Sequence, residues 1–347
     1  MARSLLEKVR SANNHKLRFL IKECGGLRIS TIIPTYNRPK ALERCLISIL
    51  KQTVPPSEVI VVESGPFDVA KGVVELYKKR FRKKGIELKY LRNAEGSLTI
   101  AKDLGIQTSA FEIVSFLDDD MVIHKDYYKA ILDVYRKIPN ALGVMGKNVQ
   151  RIGKKGMLSR LVEAYQRIFL IRINHDFKFR ILPSLGNTYS DREGIVECEW
   201  LSGASTFKKD ILLKIRPDKN LRKYSWNEDL DLSYRIYKRI PGTLFMTSDA
   251  KYLHGSPKSL RSVSKEILYM AEVYDLYLFY KNFDQTLRNR INYIWGRIGR
   301  VILLLVLFIV RGEGRNITNV MLAPLYCLKN LRFIINRDLT FFNQKLR

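Results

Sequence analysis

From Leu27 onward, short runs of β-branched and apolar residues alternate with longer stretches in which apolar positions recur every three or four residues. The first run, Leu27–Tyr36 (LRISTIIPTY), reads as a buried strand that ends at Pro34. Pro39 suits the first position of a helix whose Leu42, Cys45, Leu46, Ile49 and Leu50 share one face. Pro55-Pro56 breaks the chain before a second strand, Glu58–Val62. A basic helix over Val69–Lys84, a third strand at Glu87–Leu91 and a short helix near Leu98–Thr108 follow. A fourth strand, Glu112–Leu117, runs straight into Asp118-Asp119-Asp120.

This alternation predicts an α/β fold, a mostly parallel sheet flanked by helices on both faces. Ligands of such sheets bind outside the carboxyl ends of the strands. Pro34-Thr35, Glu63-Ser64 and Asp118–Asp120 all fall at such ends, so three polar clusters are expected to converge on one crevice. Gly143–Ser190 is rich in Arg, Lys and aromatics and shows no repeat. Strand character returns at Ile195–Trp200 and Ala204–Phe207. A helix is expected from about Ser225, where Ser225-Trp226-Asn227-Glu228 has the form of a capping box. Beyond Pro257 the pattern is helical and increasingly basic. The expected division is a basic leader over 1–27, an α/β domain over 28–256 and a helical C-terminal region over 257–347.

Composition sharpens this picture through charge. The 347 residues carry 61 Lys and Arg against 34 Asp and Glu, a formal charge of +27 that calls for anionic partners. Nucleic acid, an anionic membrane surface and phosphorylated small molecules all qualify. From Gln285 to Arg347 there are 11 basic and two acidic residues, so the excess concentrates at the C-terminus. The N-terminus is basic and has no apolar core of the kind a signal peptide needs. Four scattered cysteines with no CxxC pair point to a reducing compartment.

The longest apolar run, Val301–Val310, is ten residues long. A spanning helix needs roughly 20. Extended backwards it meets Arg300 and Arg297, so a helix lying in the membrane interface is expected, anchored by Tyr293, Trp295 and flanking arginines. Leu322–Leu328, interrupted by Pro324, is a second such element. The alternative is a set of packed helices of a soluble fold.

Three constellations carry candidate chemistry. Asp118-Asp119-Asp120 places three carboxylates at one strand end, a repulsion that Mg²⁺ or Mn²⁺ held with substrate phosphates resolves. A solvated acidic turn is the competing reading. Glu228 has a capping role in the helix that follows, which leaves Asp229 as the better candidate for a general base. There the helix dipole lowers its pKa, while bound phosphates push it up. Asp231 points elsewhere and is expected to be structural. His254, one of four histidines, is expected after a strand over Thr243–Thr247 and a turn, as a metal or phosphate ligand. No phosphate loop, dinucleotide fingerprint, GxSxG elbow or RNA-binding aromatic motif is present.

Taken together, these clusters resemble the inverting family 2 glycosyltransferases of GT-A fold, from about Ile29 to about His254. Ile32-Ile33-Pro34-Thr35-Tyr36-Asn37-Arg38 is similar to the family's opening strand and nucleotide-contacting loop. Val61-Val62-Glu63-Ser64-Gly65 is similar to the segment whose acidic residue meets the nucleotide base, with Glu63 where Asp is usual. Ala101-Lys102-Asp103-Leu104-Gly105-Ile106 resembles the family's Ala-Arg-Asn-x-Gly-Ile helix, Lys102 keeping the charge but not the bidentate fork. Asp118-Asp119-Asp120 resembles the DxD motif. Trp200-Leu201-Ser202-Gly203-Ala204 resembles the acceptor-side segment. Trp226-Asn227-Glu228-Asp229-Leu230 is similar to the motif whose Asp is the catalytic base.

The resemblance implies transfer of a sugar from a nucleoside diphosphate sugar, with UDP favoured, to a hydroxyl acceptor, with inversion and a divalent cation on Asp118, Asp120 and His254. Donor contacts would then come from Pro34, Thr35, Tyr36, Asn37, Arg38, Glu63, Lys102, Asp118 and Asp119. Trp200, Gly203 and Glu228 fall on the acceptor side. A glycan or lipid-linked acceptor at the cytoplasmic face of the cell membrane is expected. Two readings compete: a basic nucleic-acid-binding protein and an inactive scaffold of the same fold. Carboxylates at the strand ends repel a phosphate backbone, which argues against nucleic acid.

Overall fold

Every residue of β1 (Ile29–Thr35) is buried, as an unbroken apolar and β-branched run requires of a strand covered on both faces. The computed structural model describes residues 26–149, 156–174, 179–189, 192–255 and 264–346, so all but the last two residues of the expected leader lie outside the described residues. α1 (Pro39–Leu50) opens on Pro39 and buries Leu42, Cys45, Leu46 and Ile49, the face its spacing predicts. β2 (Glu58–Glu63), α2 (Val69–Lys83), β3 (Glu87–Arg92), α3 (Leu98–Thr108) and β4 (Ile113–Phe116) follow close to the positions read from sequence. Their strands are all parallel, in the order β3-β2-β1-β4.

Beyond β4 the sheet becomes mixed. Next along the chain come β5 (Met121–Ile123), α4 (Tyr127–Lys137), β6 (Gly143–Asn148), α5 (Met157–Ile168), and the small pair β7 (Arg172–Asn174) and β8 (Asn187–Tyr189). After β9 (Ile195–Glu197), β10 (Ser205–Lys208) inserts antiparallel between β4 and β6. β11 (Leu244–His254) lies parallel to β6 and antiparallel to β5 and β9. One core joins the sheet to α1, α2 and α4. The other joins it to α3, α6 (Lys209–Lys214) and α7 (Glu228–Arg239).

Pro34 stands in a central strand, where a missing N–H normally breaks the ladder. β4 pairs with β1 only from Ile29 to Ile32, and the Leu117 N–H closes that ladder on the Ile32 carbonyl at 3.1 Å. Pro34 therefore needs no donor towards β4. Pairing of β1 with β4 ends at this point, at the carboxyl ends where ligands of such sheets bind.

The C-terminal helices are α8 (Lys265–Asn282), α9 (Leu287–Val310), α10 (Gly314–Lys329), α11 (Leu331–Ile335) and α12 (Thr340–Asn343). Tyr274, Tyr277, Phe279, Tyr293 and Phe342 form a core there that also takes in Leu221 and Leu230, so these helices press on α7. The apolar run Val301–Val310 is the second half of a 24-residue helix. Among the described residues it is the one helix long and apolar enough to cross a membrane, with a mean hydropathy of 2.0 in its best window.

Two expectations for this region are corrected. Tyr293 is no interfacial anchor: it is buried and stacks on Phe279, centroids 4.4 Å apart. Arg297 and Arg300 do not snorkel outward, because Asp275 of α8 draws both inward at 2.7 and 2.6 Å. The outer face of α9 instead exposes Ile291, Ile294, Ile298, Ile302 and Val306. Trp295 stays at the surface, stacked on Phe169 at 4.7 Å.

Candidate active site

The turn after β4 separates three adjacent aspartates into two environments. Asp119 is buried and accepts hydrogen bonds from Thr35 Oγ1 at 2.7 Å and from Arg38 at 3.3 Å. Burial pushes its pKa up to about 6, against the pull of Thr35 and Arg38. It fastens the turn to the end of β1. Asp118 and Asp120 stay partly exposed and meet His254, whose Nε2 lies 3.6 Å from Asp118 and 3.1 Å from Asp120.

Strand register puts His254 there. β11 is one eleven-residue strand with a bulge between Thr247 and Lys251, rather than a short strand followed by a turn, and it pairs His254 with Met121 of β5. The next residue, Gly255, donates its N–H to the Asp120 carbonyl at 2.8 Å, and a Cβ there would stand only 3.0 Å from Asp120. Burial raises the pKa of Asp120, but the His254 hydrogen bond and the charges of His254 and Arg38 outweigh it and hold the group below its ordinary value.

One donor atom each from Asp118, Asp120 and His254 lies within 4.8 Å of the others. Metal–ligand distances of about 2.0–2.2 Å require these donors only slightly closer together. Two carboxylate oxygens and an imidazole nitrogen therefore fit Mn²⁺ well, and Mg²⁺ with added water. A Cβ on Gly203 would come 2.9 Å from Asp118, so this glycine lets the backbone before β10 approach the carboxylate.

The second acidic pair opens α7. The helix begins at Glu228, with Asn227 before it in the left-handed region at φ 59, so the expected capping box from Ser225 does not form. The Ser225 hydroxyl donates to the Leu221 carbonyl at 2.9 Å. The Glu228 side chain does not reach back to Ser225, because Lys102 captures its Oε1 at 2.5 Å in a buried ion pair. Burial pushes the pKa of Glu228 up to about 7, with Lys102 opposing. Burial likewise works against the Lys102 charge, but Glu228, Asp118 and Asp229 outweigh it and keep the ammonium protonated.

Asp229 is partly exposed and accepts the Leu230 N–H at 2.8 Å. Its pKa is raised rather than lowered: burial dominates, Lys102 and the Leu230 N–H pull down, and the Asp118 charge pushes up. The helix-dipole expectation is thus overturned by desolvation. Asp118 also acts on Glu228 and Lys102, so the acidic turn and the start of α7 share one electrostatic neighbourhood. Asp231, by contrast, is fully buried among Arg235, Lys281 and Asn282, as expected of a structural residue.

Other candidates are distributed unevenly. Tyr36, Asn37 and Arg38 are exposed at the rim, and Pro34 and Thr35 are buried beneath them. Glu63, expected at the nucleotide base, has no exposed surface: it accepts the Ala70 N–H at 3.0 Å and the Tyr90 hydroxyl at 2.9 Å, holding the start of α2. Lys102 likewise faces Glu228, not solvent. Trp200 packs edge-on against Phe179, centroids 6.3 Å apart.

Sequence reasoning missed Tyr224 and Asp275. The Tyr224 pKa is raised by burial first and then by the charges of Asp118 and Asp229, so this tyrosine belongs to the same electrostatic neighbourhood. Its signal is visible only in the backbone: Lys223, Ser225 and Asn227 all have positive φ, a density of strain that marks functional loops. Asp275 holds that loop from behind, accepting Trp226 Nε1 at 3.1 Å and Asn227 Nδ2 at 2.8 Å on the oxygen opposite its two arginines.

The mostly parallel sheet flanked by helices, with helices at its C-terminal end, is a GT-A-like architecture. A solved structure of GalNAc-T7 with UDP, GalNAc and Mn²⁺ superposes with a TM-score of 0.51 at 14% identity, covering 73% of this chain and 50% of that one. Residues 30–193, just under half of the chain, match the family described as glycosyl transferase family 2. Glycosyltransferase GlyA of Streptococcus pneumoniae is 30% identical over 111 residues, 32% of this chain and 15% of GlyA. The poly(ribitol-phosphate) β-N-acetylglucosaminyltransferase TarP of Staphylococcus aureus is 29% identical over 126 residues, 35% of this chain and 36% of TarP. The matched segments thus span little more than a third of these relatives at most.

Proposed function

We propose that the protein transfers a sugar from a UDP-sugar to a hydroxyl of a glycan or lipid-linked acceptor, with inversion at the anomeric carbon. The observation that carries this reading is that the Asp118–Asp120–His254 group and the Glu228-Asp229 pair share one electrostatic neighbourhood, which supports a cation-holding side and a base-bearing side of one site. Asp118, Asp120 and His254 would hold Mg²⁺ or Mn²⁺. Bound there, the cation supplies charge neutralisation for the departing diphosphate.

The chain's own residues do the rest. Tyr36, Asn37 and Arg38, exposed at the end of β1, grip the nucleotide and its phosphates. Asp229 accepts the proton of the acceptor hydroxyl as that oxygen attacks from the face opposite the leaving group. Its raised pKa makes it a better proton acceptor than an ordinary aspartate. Lys102 pairs with Glu228 and so holds the first residue of α7, next to Asp229, in place. Trp200 and Gly203 flank the acceptor side. The UDP and Mn²⁺ of the GalNAc-T7 structure, and the acceptor named for TarP, support this choice of donor and acceptor classes.

Exposed apolar side chains on three helices support a membrane-bound acceptor. Leu161 and Ile168 of α5, Ile298 and Ile302 of α9 and Leu325 of α10 are all exposed, with Arg160, Arg288 and Arg311 among the exposed cations of the same helices. Such a face lies on an anionic surface as a monotopic anchor. Spanning would carry Asp275 and Glu272, bound to the α9 arginines, towards hydrocarbon. The cytoplasmic leaflet is the anionic one. Thermal-shift screening of UDP-, GDP- and dTDP-sugars with and without Mn²⁺ tests the reading. The largest rise in Tm is expected for a UDP-sugar with Mn²⁺, and no response to any donor would contradict it.

A further inference from the structure

Away from the cleft, a cavity of about 450 Å³ lies where α6 and the C-terminal end of α7 meet α8 and the turn after α11. Seven of its nine lining residues are Lys or Arg, and none is acidic. Arg216, Arg235 and Lys281 are already matched to Asp103, Asp231 and Asp218. Lys238 donates to the Asn282 carbonyl at 2.9 Å. Lys214, Arg239 and Arg337 remain, with no acidic partner among the described residues.

We propose that this cavity binds a phosphate group. Unpaired cations sharing one concavity repel each other, and a dianion is the partner that removes the cost. Guanidinium forks from Arg239 and Arg337 with the ammonium of Lys214 match the oxygens of a phosphate. The macrodipole of α7 accounts for cations at its own C-terminal end, Lys238 and Arg239. It does not account for Arg337, which arrives from another element and is held at φ 61, where side chains other than glycine are uncommon. The cavity is open to solvent, so the molecule that bears the phosphate can extend out of it. That molecule is a lipid headgroup or a soluble phosphate. Arg337 closely follows Phe333 and Ile335, exposed apolar residues of α11, which keeps the lipid source open.

The test uses the full chain in EDTA, which silences the divalent-metal site. Two probes are titrated: inorganic pyrophosphate by calorimetry, and vesicles of equal parts phosphatidylglycerol and phosphatidylcholine by cosedimentation. The variant Lys214→Gln/Arg239→Gln/Arg337→Gln is compared with Lys79→Gln/Lys83→Gln/Lys84→Gln, which removes the same charge from the exposed surface of α2. The first variant is expected to weaken at least one probe by about tenfold or more, and the second by less than about threefold, the diffuse-charge contribution. Loss confined to vesicles assigns the phosphate to a lipid. Loss confined to pyrophosphate assigns it to a soluble ligand. Equal weakening by both variants, no weakening, or no binding by the wild type overturns the proposal. The three side chains hold no partner among the described residues, so Tm should not fall; Arg239→Gln alone carries the same comparison if the triple variant does not fold.

Discussion

Asp275 of α8 accepts a hydrogen bond at 2.8 Å from the side-chain amide of Asn227, the residue immediately before the Glu228-Asp229 pair. The same carboxylate binds Arg297 and Arg300 of α9, so the C-terminal helices and the strained loop are fastened at one point. Asn227→Gly isolates this link, because glycine keeps the left-handed backbone and deletes only the amide. Stability should fall by about 1 kcal/mol, while turnover falls by about tenfold or more with donor binding unchanged. Asp275→Asn should also lower turnover and cost more in Tm, since Arg300 loses its charge partner and Arg297 keeps only Glu272. Paired melting and kinetic measurements on both variants check this.

The Lys102–Glu228 pair gives stability a recognisable pH dependence. The folded-state pKa of Glu228, about 7, lies above its ordinary value of 4.5, so the folded state holds this proton more tightly than the unfolded chain. This contribution is greatest at low pH and is lost as pH rises from the ordinary value to about 7, at most on the order of 3 kcal/mol. Melting curves between pH 4.5 and 7.5 should show it, and Lys102→Met/Glu228→Gln should flatten that part of the profile.

The site Asp118–Asp120–His254 predicts a graded response to metal. His254→Ala leaves two carboxylates, so transfer should survive but require about tenfold more Mn²⁺ or greater. EDTA should abolish transfer, with Mn²⁺ restoring it. An unshifted Mn²⁺ titration in His254→Ala would remove the histidine from the ligand set.

Much of the fold was legible because its signals are local. Pro39, the spacing of Leu42, Cys45 and Leu46, and the run into Asp118–Asp120 each speak through neighbouring residues. The misreadings share a different cause, which is capture by partners distant in sequence. Ser225 and Glu228 have the spacing of a capping box, yet Lys102, 126 residues earlier, takes the glutamate. Arg297 and Arg300 look lipid-facing beside an apolar run until Asp275, 22 and 25 residues earlier, claims them. Glu63 looks poised for a ligand at a strand end, but α2 folds back over it and supplies the Ala70 N–H. The antiparallel insertion of β10 between β4 and β6 has no local signature at all, since only the completed sheet defines it.

The apolar face makes its own prediction. Ile298→Glu/Leu325→Glu alters side chains already exposed on α9 and α10, so Tm should change little. Cosedimentation with anionic vesicles should fall by about tenfold or more, since the two charges enter the interface against their hydration. Unchanged vesicle binding would contradict the membrane-facing assignment.

The central claim is that Asp229 is the base of a cleft whose other side holds the donor. Donor affinity and transfer rate measured together in Asp229→Asn test it most directly, because the substitution removes the proton acceptor and keeps the shape. Turnover should fall by about 10²–10⁴-fold while the Kd for a UDP-sugar with Mn²⁺ stays within about threefold of wild type. Undiminished turnover, or a loss of donor binding equal to the loss of rate, would contradict the account.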